Sequence, residues 1–156
     1  MRAYERHRFM PKVLIVENDL MIADISEAFL VEHGYEVCGI GRTVAQPVTL
    51  GRRHLPDLAI IDLRLADGGL GSEVAAQLTD LERLGILYVT GSGSGVTLVN
   101  SRGHGCLAKP YLFADLMRSL EIVAELVDTG KASPPFPGGF SVLRQVTADL
   151  AQAAHG

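Results

Sequence analysis

Short apolar runs alternate with stretches of helical spacing along most of this chain. Val13, Leu14, Ile15 and Val16 form a continuous apolar run, as expected of a strand buried on both faces. Leu20 to His33 follows helical spacing, with Ile22, Ile25, Phe29 and Leu30 on one face and Gly34 as a stop. Tyr35 to Ile40 reads as a second strand. Thr43 is placed to cap a second helix running to about Leu55; Pro47 falls near its first turn, where a missing N–H costs least. Leu58 to Ile61 is a third strand that ends on Asp62. Gly68, Gly69 and Gly71 make a flexible loop, Ser72 to Leu84 a third helix, and Ile86 to Val89 a fourth strand. Gly91, Gly93, Gly95, Gly103 and Gly105 then crowd one segment, so a fourth helix there must be short, near Val96 to Ser101. Cys106 to Ala108 is a fifth strand. Tyr111 to Asp128 is a long helix with Leu116, Leu120, Val123 and Val127 on one face.

Five strand–helix units predict an α/β fold: a five-stranded parallel (βα)5 sheet with helices on both faces. The domain runs over residues 12–130, after an N-terminal extension, 1–11. A Pro/Gly linker, 131–139, ends it. A short tail, 140–156, follows, with Phe140, Leu143, Val146, Leu150 and Ala154 at helical spacing; that stripe suits packing against its own domain better than a partner helix.

With 156 residues, 47% hydrophobic and 21% charged, the chain has the profile of one globular domain. A net charge of −4 supplies no basic field for nucleic acid. Arg2, Arg6, His7 and Arg8 read as a solvated tail. No apolar run is long enough to span a membrane, and no secretory signal is evident, so a cytoplasmic place is expected. Cys38 and Cys106 lie in apolar runs and read as reduced thiols. His33, His54 and His104 read as surface residues.

Ligands of an open α/β sheet bind outside the carboxyl ends of the strands. Strand one ends in Glu17, Asn18 and Asp19, strand three in Asp62, strand four in Thr90, and strand five in Lys109. Clustered carboxylates repel, and a divalent cation removes that cost; oxygen donors suit Mg²⁺. A carboxylate can accept a phosphoryl group, whose oxygens then need a metal, an ammonium and a hydroxyl. In that chemistry Asp62 is the phosphoacceptor. Thr90 and Lys109 grip the phosphoryl oxygens. Glu17, Asn18, Asp62 and the backbone carbonyl of Arg64 hold the metal. Asp19 reads rather as an acid of the first helical turn.

These motifs resemble the signature set of response-regulator receivers: Val13 to Asp19, Pro56 to Leu63, Val89-Thr90-Gly91, and Ala108-Lys109-Pro110-Tyr111. The match covers about Lys12 to Asp128. The resemblance implies a flavodoxin-like receiver fold and Mg²⁺-dependent phosphotransfer from a sensor histidine kinase or histidine phosphotransferase. It also implies a cis peptide at Lys109-Pro110. Leu87 to Gly91 further resembles the FATGUY subgroup, though the Phe and final Tyr of its defining string are absent. Asn18 stands where the family usually has an acid, which keeps a carbonyl ligand but loses a charge. Cys106 stands where an aromatic switch residue is common.

The expectation is therefore a stand-alone phosphorylation switch rather than an enzyme. It signals to an effector protein, without nucleic acid or membrane, through residues 91–105 or the exposed face of the last helix. One rival is a degenerate receiver that binds a partner unphosphorylated. Another is a haloacid-dehalogenase-like phosphohydrolase, disfavoured because Arg64 stands where that family needs its second acid.

Overall fold

The computed structural model describes residues 10–91 and 102–143. The expected short helix near Val96 to Ser101 and the tail beyond Leu143 lie outside them. Strands β1 (Lys12–Val16), β2 (Glu36–Gly41), β3 (Leu58–Asp62), β4 (Gly85–Thr90) and β5 (Gly105–Ala108) pair in parallel in the order β2-β1-β3-β4-β5. That is the flavodoxin-like order predicted for a receiver. A sixth strand, β6 (Phe140–Val142), adds to the edge of β5 in antiparallel sense. The helices are α1 (Leu20–Glu32), α2 (Ala45–His54), α3 (Gly71–Gln77) and α4 (Phe113–Thr129).

Alternation along the central strands builds two cores. Val13, Ile15, Ile60, Leu87, Val89 and Leu107 face α1 and α4. Leu14, Val16, Ala59, Ile61, Ile86 and Tyr88 face the side of α2 and α3. Both sets are buried, which explains why these strands read as continuous apolar runs rather than alternating ones.

The structure corrects several expectations. Ile25 is exposed, because α1 buries Ala23, Ser26 and Leu30 and leaves Ile25 at the margin of that stripe. Thr43 does not cap α2; Val44 precedes it without a side-chain cap. The third helix stops at Gln77, seven residues short of Leu84. Beyond it, Leu78, Leu81 and Leu84 each donate to a carbonyl three residues back, and the Arg102 guanidinium takes the carbonyls of Leu78 and Leu81. A cation more than twenty positions away thus holds the turns that follow the helix, a partner that local spacing cannot reveal. His104 is half-buried, not on the surface. Its Nδ1 accepts the Ile86 N–H at 3.1 Å, and its own N–H donates to Ile86 O at 3.0 Å. Burial and nearby Arg102 both hold its pKa below the ordinary value. Residues 140–142 form a strand, so the stripe from Phe140 does not open on a helix.

Gly34 (φ +88°) and Gly130 (φ +77°) end α1 and α4 in the left-handed conformation that glycine adopts without strain. Leu55 takes the same conformation after α2, at φ +51°, with its side chain 62% exposed. Replacing Leu55 by Gly relieves that strain and forfeits little packing. We expect a gain of about 0.5–1 kcal/mol, a rise of a few degrees in Tm by thermal denaturation. A fall in Tm would mean that the Leu55 side chain packs more than its exposure suggests.

Candidate functional site

Because β1, β3, β4 and β5 run parallel, their carboxyl ends open on one rim. Glu17 follows β1 directly, and its N–H donates to Gly41 O at 3.0 Å, tying it to the end of β2. Its side chain turns back into the protein. Asp62 closes β3 and is also buried, at 8% exposure against 4% for Glu17. Lys109, past the end of β5, reaches between them: Nζ lies 3.1 Å from Glu17 Oε1 and 2.8 Å from Asp62 Oδ2. The peptide between Lys109 and Pro110 is cis, as the resemblance implied.

Two buried carboxylates therefore share one ammonium, which leaves an unbalanced negative charge. Desolvation and the hydrogen bond with Asp62 hold the Glu17 carboxyl above its ordinary pKa. Desolvation pulls Lys109 down, but the hydrogen bonds and charges of Asp62 and Glu17 outweigh it and raise its pKa.

The remaining oxygens are organised by backbone. Asp62 Oδ1 accepts the Arg64 N–H at 3.1 Å. Arg64 bridges Leu70, but the flanking groups make the bonds: Leu65 N–H to Gly69 O and Gly71 N–H to Leu63 O. Glu17 Oε2 accepts the Asp19 N–H at 3.1 Å. Asp19 itself caps α1, its Oδ1 accepting from Met21 N at 2.9 Å and Ile22 N at 3.4 Å; it thus stands just before the first turn, not inside it as expected from the sequence, because its extended backbone lets the side chain take the free N–H groups. Asn18 is exposed at the rim, and its backbone carbonyl accepts from Arg42 Nε at 3.1 Å. Thr90 ends β4 beside Asp62; its hydroxyl donates to Gly91 O at 3.2 Å, and its carbonyl accepts the Lys109 N–H at 2.8 Å.

Among the described residues no group of three or more Asp, Glu, His or Cys side chains could hold a metal alone. The oxygen donors shown on the rim are the buried carboxylates of Glu17 and Asp62, with Asn18 exposed next to Glu17. That set and its net negative charge fit a hard divalent ion that keeps several waters.

Sequence reasoning missed two parts of the site. Gly71 is no flexible-loop residue: it is buried at the start of α3, and a Cβ there would lie 2.2 Å from Asp62 O. An open apolar hollow of about 500 Å³, lined by Ile22, Gly91, Lys109, Pro110, Tyr111 and Phe113, adjoins Lys109. Leu20, Met21, Ile25 and Leu112 stand exposed on the two elements around it. A tight backbone approach leaves no periodic trace, and the hollow joins segments far apart in sequence.

No family model matches the chain. The transcriptional regulatory protein PdtaR of Mycobacterium tuberculosis is 29% identical over 115 residues, 71% of this chain and 55% of that protein. The chain thus spans about half the length of that curated relative. A receiver domain from Methanospirillum hungatei, described as CheY-like, superposes with a TM-score of 0.69 at 24% identity over 78% of this chain and 99% of that one. The signal receiver domain of a modulated diguanylate cyclase from Desulfovibrio desulfuricans is 31% identical, with a TM-score of 0.67, over 78% of this chain and 99% of its own. The sheet order, the rim on which Glu17, Asp62 and Lys109 meet, and these relatives agree: the chain belongs to the response-regulator receiver family.

Proposed function

We propose that this chain is a phosphorylation switch in which Asp62 accepts a phosphoryl group from a sensor histidine kinase or a histidine phosphotransferase. The observation that carries this reading is Lys109 Nζ lying within hydrogen-bond reach of both Asp62 and Glu17. An Asp62 carboxylate oxygen attacks phosphorus, and the P–N bond of the phosphohistidine breaks. The imidazole nitrogen keeps the electron pair, and an acyl phosphate results. Lys109 then follows the negative charge onto the phosphoryl oxygens, and Thr90, at the end of the neighbouring strand, supplies a hydroxyl. Glu17, Asp62, Asn18 and the Arg64 carbonyl would hold Mg²⁺, which neutralises charge on the transferring group. Beyond turnover of its own phosphoaspartate, no enzyme activity is expected.

The apolar hollow beside Lys109, with Leu20, Met21, Ile25 and Leu112 exposed on the segments that contribute to it, suits a protein phosphodonor better than a small molecule. Such a donor and two free cysteines fit a cytoplasmic place. Output passes to an effector protein. A second reading, an unphosphorylated binding module, is favoured by Asn18, which removes one charge from the metal-holding set.

One experiment separates the two. Incubation with Mg²⁺ and acetyl phosphate should add the mass of one phosphoryl group to the wild type and none to Asp62→Asn. Wild-type protein without the added mass would favour the binding module, and equal uptake by both proteins would place the acceptor elsewhere.

A further inference from the structure

The segment after α4 is not a loose linker. Arg118 donates to Pro135 O at 3.0 Å through Nε and to Ser133 O at 2.6 Å through Nη2, and the Ser133 hydroxyl donates to Glu125 at 2.6 Å. These bonds lay residues 131–139 back along α4 and deliver β6 to the open edge of β5. There Ala108 N–H donates to Gly139 O and Leu143 N–H to His104 O, both at 3.0 Å. Antiparallel alternation makes Cys106 and Ser141 the hydrogen-bonded pair between them. Phe140 seats over Gly105, where a Cβ would come within 2.7 Å of its ring, and stacks on Phe136 at 6.3 Å. Leu143 packs beside Gly103 and joins the core under Tyr88.

This strap reaches the phosphoryl site through a single strand. Ala108 is bonded to Gly139 on one side and pairs with Thr90 on the other, and Lys109 N–H donates to Thr90 O at 2.8 Å. Both residues assigned to the phosphoryl oxygens thus sit on the β4–β5 seam that the strap holds from outside. A group on Asp62 that engages Thr90 and Lys109 would act on the end of β5, the strand whose Ala108 Gly139 holds from the other side.

We infer that β6 is a regulatory strap that competes with phosphoryl-site occupancy for the position of β5. A group on Asp62 loosens the strap, and a fixed strap weakens binding at Asp62, since such coupling is reciprocal. The inference rests on the receiver reading and adds regulation to it.

The full chain offers a direct test. Ser141→Cys places a thiol opposite the native Cys106, at the Cα separation of about 5.5 Å that a hydrogen-bonded pair shares with disulfides. Cys38 lies in β2, at the far edge of the sheet, and cannot compete. Oxidation locks the strap and reduction frees it in the same polypeptide. With Mg²⁺ present, beryllofluoride should bind the oxidised form about fivefold or more weakly than the reduced form, by calorimetric titration. Ser141→Pro removes one ladder hydrogen bond from an exposed position and should tighten beryllofluoride binding relative to wild type. Equal affinity of the oxidised and reduced forms, with wild type binding normally, would make the strap a passive cover and overturn the inference alone. Tighter binding by the oxidised form overturns its direction. A wild type that neither binds beryllofluoride nor takes up a phosphoryl group overturns the receiver reading and the strap with it.

Discussion

Replacing Lys109 with Met should cost about 3 kcal/mol of stability at pH 7, and most of that loss should disappear on mild acidification. Met keeps much of the apolar stem and removes the charge. Glu17 and Asp62 would then face each other, largely buried, with no ammonium between them, and removing one partner of a buried ion pair typically costs 3–5 kcal/mol. The protein's cheapest remedy is a proton on Glu17, whose carboxyl burial already holds above its ordinary value. A carboxyl group with a raised folded-state pKa stabilises the fold while protonated. Its contribution is full below about pH 4.5, the unfolded value, and is lost as pH rises through the folded value. Lys109 has the same sign in a higher window: its contribution is complete below pH 10.5 and lost only as pH climbs past its raised pKa. Wild type at pH 7 therefore keeps the whole Lys109 term, and the variant keeps none of it. Urea denaturation at pH 5 and pH 7 reads the difference. Adding Glu17→Gln to Lys109→Met should recover much of the loss at pH 7, because one of the opposed charges is gone. A deficit that is the same at both pH values, with no recovery in the double variant, would assign the loss to stem packing instead of charge.

The chemistry of this rim was legible in the sequence because a parallel sheet converts strand ends into neighbours. Once Val13–Val16, Leu58–Ile61 and Ile86–Val89 are recognised as two-sided buried strands, Glu17, Asp62 and Thr90 must share an edge, and the order of units adds Lys109. Elements set by distant partners were not legible. The turns after Gln77 are held by Arg102, and half-buried His104 is bonded to Ile86 and Leu143. β6 was hidden because three residues carry no period, and Phe140 and Leu143 are as far apart as one turn of helix. Only Gly105, whose missing side chain admits the Phe140 ring, shows why the chain extends there. Asp19 reads from the sequence one position too far in, as a first-turn acid, although the capping bonds it makes to Met21 and Ile22 act within three residues.

Gly71→Ala should cost about 3 kcal/mol and damage phosphoryl uptake at Asp62, although the change adds one methyl group nine residues from the acceptor. The added Cβ would lie 2.2 Å from Asp62 O, 2.5 Å from Ile61 Cγ2 and 3.0 Å from Asp62 C. Two of those three atoms are backbone of the strand that carries the acceptor, so no side-chain rotation opens the space. Either α3 retreats from β3, which strains the Gly71 N–H to Leu63 O bond at 2.9 Å, or the end of β3 shifts and takes the Asp62 carboxylate with it. Overpacking of this kind costs 1–3 kcal/mol where neighbours can yield, and backbone yields least. The second route moves Asp62 relative to Lys109, which now lies 2.8 Å away, and displacements of an ångström can cost a hundredfold in a positioned reaction. Gly68→Ala is the matched control. It sits in the loop just before α3 with open space around it but at φ +81°, so its penalty is backbone strain alone, about 1 kcal/mol, with uptake unchanged. Urea denaturation and intact-mass measurement of phosphoryl uptake from acetyl phosphate should rank the variants in that order. If Gly71→Ala matched Gly68→Ala in both measurements, α3 would be free to slide over β3, and the close approach at Asp62 would not hold the site in place.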